Sequence, residues 1–514
     1  MTAQLESPKP LSESKSVNFA SIMPQPLALM ISFSSVVLFA AASLRHWLLQ
    51  STAFDLAIYD QVAYLMGRGL LPYATVSDMH HMGNHAAYSF YLVGLLYGLV
   101  PSVHWLFGVQ GFALSLGAWP TWALARRAGL SQRLSLVMGA VYLLYPLVFN
   151  VNLFDFHPEV MVIAAMLGAI WAARSRRMVL FSALIVYVLG GKAVLSLTVL
   201  GLGIWLVFFE RRQWYGAIAL TLASWWFLTA TQVVIPLFND GEGHDAVGRY
   251  SYLGSSVLEV AKNTLLRPDL VFGQVLSLDT VMYLILVSTP LIWWLLAGRL
   301  GALVAAVPAV ALNVLSMADQ QRDLVHQYSL PIVPFVMVAA IAGLKHSFVE
   351  SHPGGLWQWV AAKYPRFWAR LRTGVQGGWV PMAWALVCFV ALAKFGYFGS
   401  IYVDELDTWA AANEAIAQVD TKGGVLTTAE IAPHLSHRET IRQIEAGVEP
   451  DWDQYEYVLL NLRHPGQSAT GEFSQQIKTT LENSDVFGLA FEESDVLLFR
   501  RVAGSETSPR KFQP

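Results

Sequence analysis

The sequence predicts an all-α polytopic membrane protein with about eleven transmembrane helices, followed by a small soluble α/β domain at the C-terminus. Of its 514 residues, 55% are hydrophobic and only 13% are charged, which is too little charge for the surface of a soluble protein of this size. Several apolar runs are long enough to cross about 30 Å of hydrocarbon. Charge rises only after residue 402, where short strand-like and helix-like patterns alternate.

The predicted membrane part extends from residue 26 to residue 400. The polar segment before it, residues 1–25, is expected to be a disordered cytoplasmic tail. The first apolar run has no clean small-residue cleavage site, so we interpret it as an anchor rather than as a removed signal peptide. The spans are predicted at residues 26–48, 105–125, 134–150, 158–173, 178–190, 193–209, 214–236, 280–298, 300–317, 328–344 and 379–400.

The ionisable residues sort between the gaps that separate these runs. Alternate gaps are basic, and the gaps between them hold most of the acidic residues and histidines. Because Lys and Arg mark cytoplasmic loops, the sorting places the N-terminus inside and the reactive groups on the opposite, non-cytoplasmic face. Arg68, Lys262 and Arg267 are exceptions in acidic gaps. The basic gaps hold Arg126, Arg127 and Arg133; Arg174, Arg176 and Arg177; Arg211 and Arg212; Arg299; and the segment from Lys345 to Arg372.

Two stretches require a decision about topology. Residues 84–100 are apolar enough to cross, but a crossing here would invert the charge alternation from Arg126 onward. We therefore predict an interfacial or re-entrant helix in a long first outer loop, residues 50–104. Residues 178–209 are too long for one helix of ordinary tilt and are interrupted near Lys192. Two short spans are predicted there, and a single long kinked helix is the alternative.

Residues 402–503 form the predicted soluble domain, which the topology places outside the membrane. Residues 504–514 are expected to be a disordered tail. The single cysteine, Cys388, excludes an internal disulfide. Nucleic-acid binding is not expected, because the soluble domain has no basic stripe. Within the domain, helices are predicted at 406–417 and 473–481, and strands at 424–428, 457–461 and 496–500.

The first outer loop contains the strongest candidates for chemistry. Asp55 and Asp60 lie in the segment FDLAIYDQ, directly after the first predicted span. A carboxylate in a partly apolar setting can act as a base, although capping of an interfacial helix would also explain Asp55. Further along, His81 and His85 are spaced i, i+4, which suits a metal or a phosphate. No third ligand stands at an obvious spacing, so no metal site is predicted.

A second group of ionisable residues stands at the start of the fourth predicted span. The segment NLFDFHPE contains Asp155, His157 and Glu159. Capping explains Asp155, but it does not explain three ionisable groups beside a bilayer, where each is costly. Lys192 is the only charge within the apolar stretch around it, so it either snorkels to the surface or meets an anion such as a phosphate.

Further outer groups stand later in the predicted membrane part. Arg249, Arg322 and His326 would each supply positive charge at the non-cytoplasmic face. His326 and Tyr328 open the tenth predicted span, and the prolines that follow would loosen this helix near the surface.

Together these segments resemble an uncharacterised family of multi-spanning bacterial membrane proteins, a domain of unknown function grouped with the GT-C glycosyltransferases. The resemblance covers roughly residues 30–345. It implies a GT-C fold with a cytoplasmic N-terminus, a long first outer loop and a soluble domain after the last span. The resemblance is carried by FDLAIYDQ, Asn84-His85, FDFHPE, Gly191-Lys192, and His326-Gln327-Tyr328 followed by Pro331.

The resemblance implies a membrane glycosyltransferase in a bacterial inner or plasma membrane. Its donor would be a sugar on a polyprenyl phosphate, and its acceptor is unknown. Asp55 would be the general base, with Asp60 as the alternative. Lys192, Arg249, Arg322 or a bound divalent ion would stabilise the leaving phosphate. The other predicted substrate-binding residues are His85, Asp155, His157, Glu159, His326 and Tyr328.

One departure from the family pattern bears on activity. Related sequences commonly carry an acidic residue directly after the matched lysine, whereas Ala193 stands here. If that acid takes part in a shared mechanism, the chain differs in ligand or is inactive. Two other classes of function remain open: a transporter or flippase for a lipid-linked substrate, and a non-catalytic membrane scaffold that presents the C-terminal domain.

Overall fold

The structure, a computed structural model, describes residues 23–241 and 245–502. The predicted disordered tails lie outside these residues, apart from residues 23–25. The α-helices before the C-terminal region are Gln25–Trp47, Ile58–Gly67, His81–His85, Tyr91–Leu99, His104–Leu116, Ala118–Arg127, Gln132–Leu143, Pro146–Leu153, Glu159–Arg174, Met178–Leu189, Leu195–Phe208, Gln213–Thr229, Ile235–Leu237, Val257–Leu266, Pro268–Val275, Leu278–Ser288, Ile292–Leu295, Val307–Leu315, Val333–Leu344, Leu356–Lys363, Pro365–Gln376 and Trp379–Leu392.

These helices confirm the polytopic all-α fold class. A bent pair, Pro365–Gln376 and Trp379–Leu392, meets at 80° and would make a further span. Shorter apolar helices include Met178–Leu189 and Leu195–Phe208. The count of about eleven spans stays a prediction. Five helical stretches of the described chain are long and apolar enough to cross a membrane: Gln25–Trp47, Gln132–Leu153, Gln213–Leu237, Leu278–Leu295 and Asp319–Val349.

The interruption near Lys192 is present as predicted. Helices Met178–Leu189 and Leu195–Phe208 are separated by a turn that contains this lysine. Helix Leu195–Phe208 then packs closely against Gln213–Thr229, because Gly216 has no side chain at the contact. A Cβ added to Gly216 would lie 2.8 Å from a backbone oxygen of the facing helix. The break therefore places Lys192 at the start of a helix that is packed tightly against its neighbour.

The predicted span at 105–125 is two helices rather than one. His104–Leu116 and Ala118–Arg127 meet at Gly117, where the hydroxyl of Tyr142 donates a hydrogen bond of 2.9 Å to the carbonyl oxygen of Leu114. A side chain inserted into the helical hydrogen-bond ladder is a recognised cause of a kink. Tyr142 therefore explains the division of this span.

The C-terminal region contains a five-stranded mixed sheet. Its strands are β3 (Val425–Thr427), β4 (Ile441–Gln443), β5 (Tyr457–Asn461), β6 (Phe487–Glu493) and β7 (Val496–Arg501), after a short hairpin of β1 (Tyr73–Ala74) and β2 (Met79–His80) in the first outer loop. The order is β4-β3-β5-β7-β6, parallel from β4 to β5 and antiparallel from β5 to β6. The region's α-helices are Leu406–Ala417 and Gly471–Glu482. The predicted α/β character is confirmed, whereas the domain boundaries stay a prediction.

The C-terminal region docks on the first outer loop. Buried Asp60 accepts a hydrogen bond from the hydroxyl of Ser436, and Nε2 of His437 lies 3.1 Å from its carboxylate. Thr75 exchanges two hydrogen bonds with the backbone of Ile441, at 2.7 and 2.9 Å. These contacts hold the C-terminal region against the segment that follows the first helix, next to the predicted reactive groups.

Candidate active site

Asp55 lies just beyond the first helix in a strained backbone conformation. The chain makes a tight turn at Ala53–Ala57 before helix Ile58–Gly67 begins. Within this turn Asp55 has φ 84° and ψ −84°, close to the rare and strained γ-turn. Strain of this kind persists only where surrounding contacts hold it, and it concentrates at functional sites. Helix capping does not explain Asp55, because no side chain caps the start of Ile58–Gly67.

His157 is the residue that contacts the Asp55 carboxylate. Its Nε2 lies 2.9 Å from Oδ1 of Asp55, and its Nδ1 lies 2.9 Å from the backbone carbonyl oxygen of Asp155. A carbonyl oxygen and an ionised carboxylate can only accept, so both imidazole nitrogens carry a proton in this arrangement. The side chain of His157 is 3% exposed and that of Asp55 is 31% exposed. Asp55 is therefore the open member of an imidazolium–carboxylate pair.

The electrostatics of the pair favour the charged form of both groups. Burial alone would raise the pKa of Asp55, but His157, with smaller effects from Lys192 and His326, holds this pKa below its ordinary value. Burial acts against charge on His157 as well, yet the neighbouring Asp55 carboxylate raises the pKa of this imidazole above its ordinary value. Asp55 is therefore ionised and available to accept a proton near neutral pH.

Asp155 acts as an anchor between two segments of the site. Its carboxylate forms a salt bridge with Arg45, and the side chains of these two residues are 1% and 8% exposed. The backbone N–H and the hydroxyl of Thr52 each donate to Asp155 Oδ2 at 2.9 Å. Thr52 is three residues before Asp55, and Asp155 is two residues before His157. The anchor therefore fixes the relative positions of Asp55 and His157.

Glu159 and Lys192 form a second, buried ion pair. The Nζ of Lys192 lies 2.8 Å from Oε1 of Glu159, and both side chains are 6% exposed. Glu159 begins the helix Glu159–Arg174, and Lys192 comes from the break between two helices. The next residue, Ala193, donates its backbone N–H to the carbonyl oxygen of His85 at 2.9 Å. The anion that Lys192 meets in this structure is thus a carboxylate of the same chain.

His326 reaches the site through an aromatic contact. Its ring centroid lies 4.4 Å from that of Phe154, which stacks 5.6 Å from the ring of His157. Nδ1 of His326 lies 2.6 Å from a carboxylate oxygen of Asp323. Phe154 therefore connects His326 to His157, the partner of Asp55.

Arg249 and Tyr328 contact each other, whereas Arg322 is held elsewhere. The guanidinium of Arg249 donates to the hydroxyl of Tyr328 at 3.0 Å. Arg322 forms a salt bridge of 2.6 Å with Asp319 and donates to the carbonyl oxygen of Ser316 at 2.8 Å. Of the three cations considered for the leaving group, Arg249 alone has no carboxylate partner among the side chains of residues 23–241 and 246–502.

Asp60 does not share the surroundings of Asp55. Its side chain is 1% exposed and accepts hydrogen bonds from the hydroxyls of Tyr97 and Ser436. His437 contacts it as well, at 3.1 Å. Ser436 and His437 belong to the docking contacts of the C-terminal region, whereas Tyr97 comes from the helix Tyr91–Leu99 of the first outer loop.

The residues present do not fit a bound divalent ion at this site. His157, Arg45 and Lys192 already pair with the three nearby carboxylates, those of Asp55, Asp155 and Glu159. In the outer loop, Nε2 of His81 contacts the carbonyl oxygen of Ala87 at 3.0 Å, and burial lowers the pKa of His81 to about 4. The one grouping of three metal-type side chains in the described chain lies beyond the opposite end of helix Val333–Leu344, at His346, Glu350 and His352.

A cleft of about 570 Å³ opens beside the cluster, between the outer ends of the helices and the C-terminal sheet. Arg45, Thr52 and Phe154 line the cleft from the part of the chain that precedes the C-terminal region. Glu405 and Glu430 face it from the C-terminal region, and burial together with the charge of Glu430 raises the pKa of Glu405 to about 8. The remaining wall combines aromatic and basic side chains, including Tyr397, Tyr402, Lys394 and Arg463. Aromatic faces and hydrogen-bonding groups of this kind suit a hydroxyl-rich ligand.

Sequence reasoning selected Asp55, His157, Glu159 and Lys192, which form two neighbouring ion pairs in the structure, but it did not select Arg45 or the cleft. Arg45 could have been selected by its position. It stands at the end of the first predicted span that borders an acidic gap, where the sorting of basic residues does not predict an arginine. The cleft has no comparable local signal, because its two walls come from distant parts of the chain.

Three comparisons relate this chain to known proteins. A family model described as a predicted membrane protein, DUF2079, matches residues 45–498. No curated protein gives a significant match. The crystal structure of ArnT from Cupriavidus metallidurans bound to undecaprenyl phosphate is similar with a TM-score of 0.57 at 14% identity, and the match covers 93% of this chain and 98% of that chain.

Two further solved structures are similar. The apo state of the same ArnT gives a TM-score of 0.51 at 14% identity and covers 92% of this chain and 98% of that chain. An oligosaccharyltransferase from Archaeoglobus fulgidus in the apo form gives 0.40 at 11% identity, with 84% and 70% covered. At these identities the ArnT structures show the fold alone, which is that of the GT-C class.

Proposed function

The chain belongs to the DUF2079 family of predicted membrane proteins, and we propose that it is a glycosyltransferase that uses a lipid-linked donor. The donor is a sugar on a polyprenyl phosphate, and transfer takes place at the non-cytoplasmic face of a bacterial inner or plasma membrane. The sorting of basic residues supports this orientation, with the N-terminus inside and the C-terminal region outside.

The observation that carries the proposal is the Asp55–His157 pair. It stands directly after the first helix, in a strained turn, within a fold that is also found in a protein crystallised with undecaprenyl phosphate. A scaffold protein has no need for a strained, partly exposed aspartate beside a buried imidazolium. A transporter tends to place ionisable groups near the middle of the membrane, whereas this pair lies beyond the end of the first helix.

In the proposed reaction, Asp55 accepts the proton of the acceptor hydroxyl. The acceptor oxygen forms a bond to the anomeric carbon of the donor sugar, while the bond from that carbon to the phosphate oxygen breaks. The electron pair of the broken bond leaves with the polyprenyl phosphate. General-base assistance of this kind contributes about a hundred- to ten-thousand-fold in rate. His157 keeps Asp55 ionised and oriented, and the exposed part of the Asp55 carboxylate faces the acceptor.

Arg249 is the preferred cation for the leaving phosphate. Its guanidinium contacts the neutral hydroxyl of Tyr328, so its charge remains available to a phosphate. Lys192 stabilises the leaving phosphate only through its electrostatic field, because its ammonium group is already paired with Glu159. Arg322 is committed to Asp319 and is the weakest of the three candidates.

The acceptor would occupy the cleft between the helices and the C-terminal sheet. Thr52 and Phe154 border both this cleft and the catalytic pair, so an acceptor held there has a short path to Asp55. The docking of the C-terminal region on Asp60 and Thr75 keeps the outer wall of the cleft in place. Asp60 is therefore a support for the acceptor site rather than a second base.

Binding and turnover of polyprenyl-phosphate sugars by the purified protein test the proposal. We expect saturable binding to wild type and to Asp55→Asn, with product formed by wild type only. Asp279→Asn is the matched control, because Asp279 is an exposed aspartate outside the site, and it should behave as wild type. Binding without turnover in wild type, but with transport across a vesicle membrane, would favour a flippase. Absence of binding to every lipid-linked sugar would favour a scaffold.

A further inference from the structure

The bent helix pair near the end of the membrane part has an amphipathic first arm. Pro365–Gln376 and Trp379–Leu392 meet at 80°, and Gly378 makes the corner with φ 82°. A Cβ added to Gly378 would lie 2.8 Å from Val137, so the corner requires glycine for both its backbone and its packing. An amphipathic helix that turns sharply into an apolar helix is typical of a segment that lies on a membrane surface.

Two stripes run along the amphipathic arm. Phe367 and Leu371, which are spaced i, i+4, line an apolar groove. Arg366 and Arg370 precede them by one residue each and form a neighbouring stripe on the exposed surface. Neither arginine has an acidic partner in the described part of the chain. The arm therefore presents uncompensated positive charge alongside an apolar groove.

The groove has a volume of about 340 Å³, and all the side chains that line it are apolar or indole groups. Five of them are tryptophans: Trp293, Trp294, Trp357, Trp379 and Trp384. The indole N–H groups of Trp357 and Trp384 donate to backbone carbonyl oxygens at 2.7 and 2.9 Å. A molecule bound in the groove would therefore contact the apolar faces of these rings. Tryptophan is enriched where membrane proteins meet the lipid headgroup region.

We propose that this groove binds an anionic phospholipid, with an acyl chain against the tryptophans and the headgroup phosphate on Arg366 and Arg370. The groove suits an acyl chain because its wall is apolar and continues onto exposed apolar side chains, such as Phe367 and Trp379 at 56% and 65% exposure. Guanidinium groups are well matched to phosphate oxygens. The segment from Lys345 to Arg372 is the most basic gap in the chain, which places the groove at the anionic cytoplasmic leaflet.

The lipid site is separate from the proposed transfer reaction. Phe348, which contacts the groove, follows helix Val333–Leu344, whereas His326 of the candidate active site precedes it. A helix of this length separates the two sites by about 18 Å. Failure of the lipid proposal would therefore leave the glycosyltransferase proposal intact, and the reverse also holds.

Native mass spectrometry of the purified full-length protein tests the lipid site. Phosphatidylglycerol and phosphatidylcholine with identical acyl chains are titrated, and the apparent Kd for the first bound lipid is compared. We expect tighter binding of phosphatidylglycerol to wild type. The variant Arg366→Gln/Arg370→Gln should lose about fivefold in affinity for phosphatidylglycerol for each arginine removed, and it should lose less for phosphatidylcholine, whose phosphate charge is balanced by its choline.

A matched control separates the site from overall charge. Arg133→Gln/Arg211→Gln removes the same charge from two exposed positions in other basic gaps, and phosphatidylglycerol binding should stay within about twofold of wild type. Ala383→Trp fills the groove from an exposed position and should weaken binding of both lipids. Wild-type binding in Arg366→Gln/Arg370→Gln, an equal loss in the control variant, or no effect of Ala383→Trp would overturn the proposal.

Discussion

The imidazole of His157 holds the carboxylate of Asp55 at 2.9 Å, across two segments that are distant in the sequence. His157 lies just before the buried helix Glu159–Arg174, and Asp55 is held at φ 84° in a turn after the first helix. The Arg45–Asp155 salt bridge and the Thr52 hydrogen bonds maintain the separation of these two segments. Such preorganisation is what a positioned base requires, since small displacements of a catalytic group reduce rates strongly.

Replacing His157 should change the pH dependence of transfer. The imidazolium lowers the pKa of Asp55, while burial raises it. In His157→Gln burial remains and the positive charge is lost, so the acid limb of the rate profile should move up by about one pH unit or more. The check is the initial rate of sugar transfer as a function of pH. His104→Gln, at an exposed position near the same face, should leave the acid limb in place.

The Asp55–His157 pair should also make the unfolding temperature of the protein depend on pH. The pKa of folded His157 is raised, so its stabilisation is complete below the ordinary histidine pKa of about 6.5 and is lost as pH rises through the folded value. The contribution of Asp55 is present above its ordinary pKa and is lost as pH falls through its lowered folded value. Wild-type Tm should therefore decline above pH ~6.5 more than the Tm of His157→Gln. Parallel Tm curves would argue against the ion pair.

The Arg45–Asp155 salt bridge should be important for stability. In Arg45→Met the carboxylate of Asp155 stays buried without its cation, which typically costs about 3–5 kcal/mol. The loss should appear as a lower unfolding temperature in detergent. Arg267→Met breaks an exposed salt bridge, with Asp269, and should have a far smaller effect. Equal effects of the two substitutions would contradict the role of Asp155 as an anchor.

The buried Glu159–Lys192 pair predicts strong coupling between the two residues. Lys192→Met or Glu159→Gln alone leaves one buried group without its partner, at a cost of about 3–5 kcal/mol when the remaining group is charged. The double variant Glu159→Gln/Lys192→Met should recover much of the stability lost in either single variant, because both members of the pair are then uncharged. A double-mutant cycle of unfolding free energies measures this coupling. Additive losses would mean that Lys192 is stabilised by something other than Glu159.

Glu405 should make the protein less stable as the solution becomes alkaline. Burial, reinforced by Glu430, raises the pKa of Glu405 from 4.5 to about 8. The stability that the protonated group contributes is complete below its ordinary pKa and is lost as pH rises through the folded value. Glu405→Gln should therefore raise Tm at pH ~8 and change it little at pH ~4.5. Glu414→Gln, at an exposed position, should have no such pH dependence.

Local patterns predicted the parts of this site that depend on neighbouring residues in the sequence. The break at Lys192 follows from two glycines in an apolar stretch, and helix Leu406–Ala417 follows from its apolar periodicity. Asp55 and His157 could each be selected, because an ionisable group beside a bilayer is costly. Their mutual contact could not be predicted, since it depends on the path of the chain between them.

Tertiary contacts also explain features that the sequence did not predict. Asp60 resembled Asp55 as a candidate base because both follow the first span, yet tertiary contacts bury Asp60 under Ser436 and His437. Strand β4 was missed because its sequence, Ile441-Arg442-Gln443, has one hydrophobic residue, and β6 was missed because much of it is exposed and it ends in two glutamates. The segment of residues 433–438 is mostly polar in the sequence, and the structure uses it in the docking contact.

The most direct test of the proposed reaction is a single-turnover measurement of polyprenyl phosphate release from a lipid-linked sugar donor, with wild type, Asp55→Asn and Asp60→Asn side by side. Unfolding temperatures measured on the same samples separate loss of chemistry from loss of fold. The account predicts release by wild type, no detectable release by folded Asp55→Asn, and residual release by whatever fraction of Asp60→Asn remains folded. Release by Asp55→Asn at the wild-type rate would contradict the assignment of Asp55 as the base.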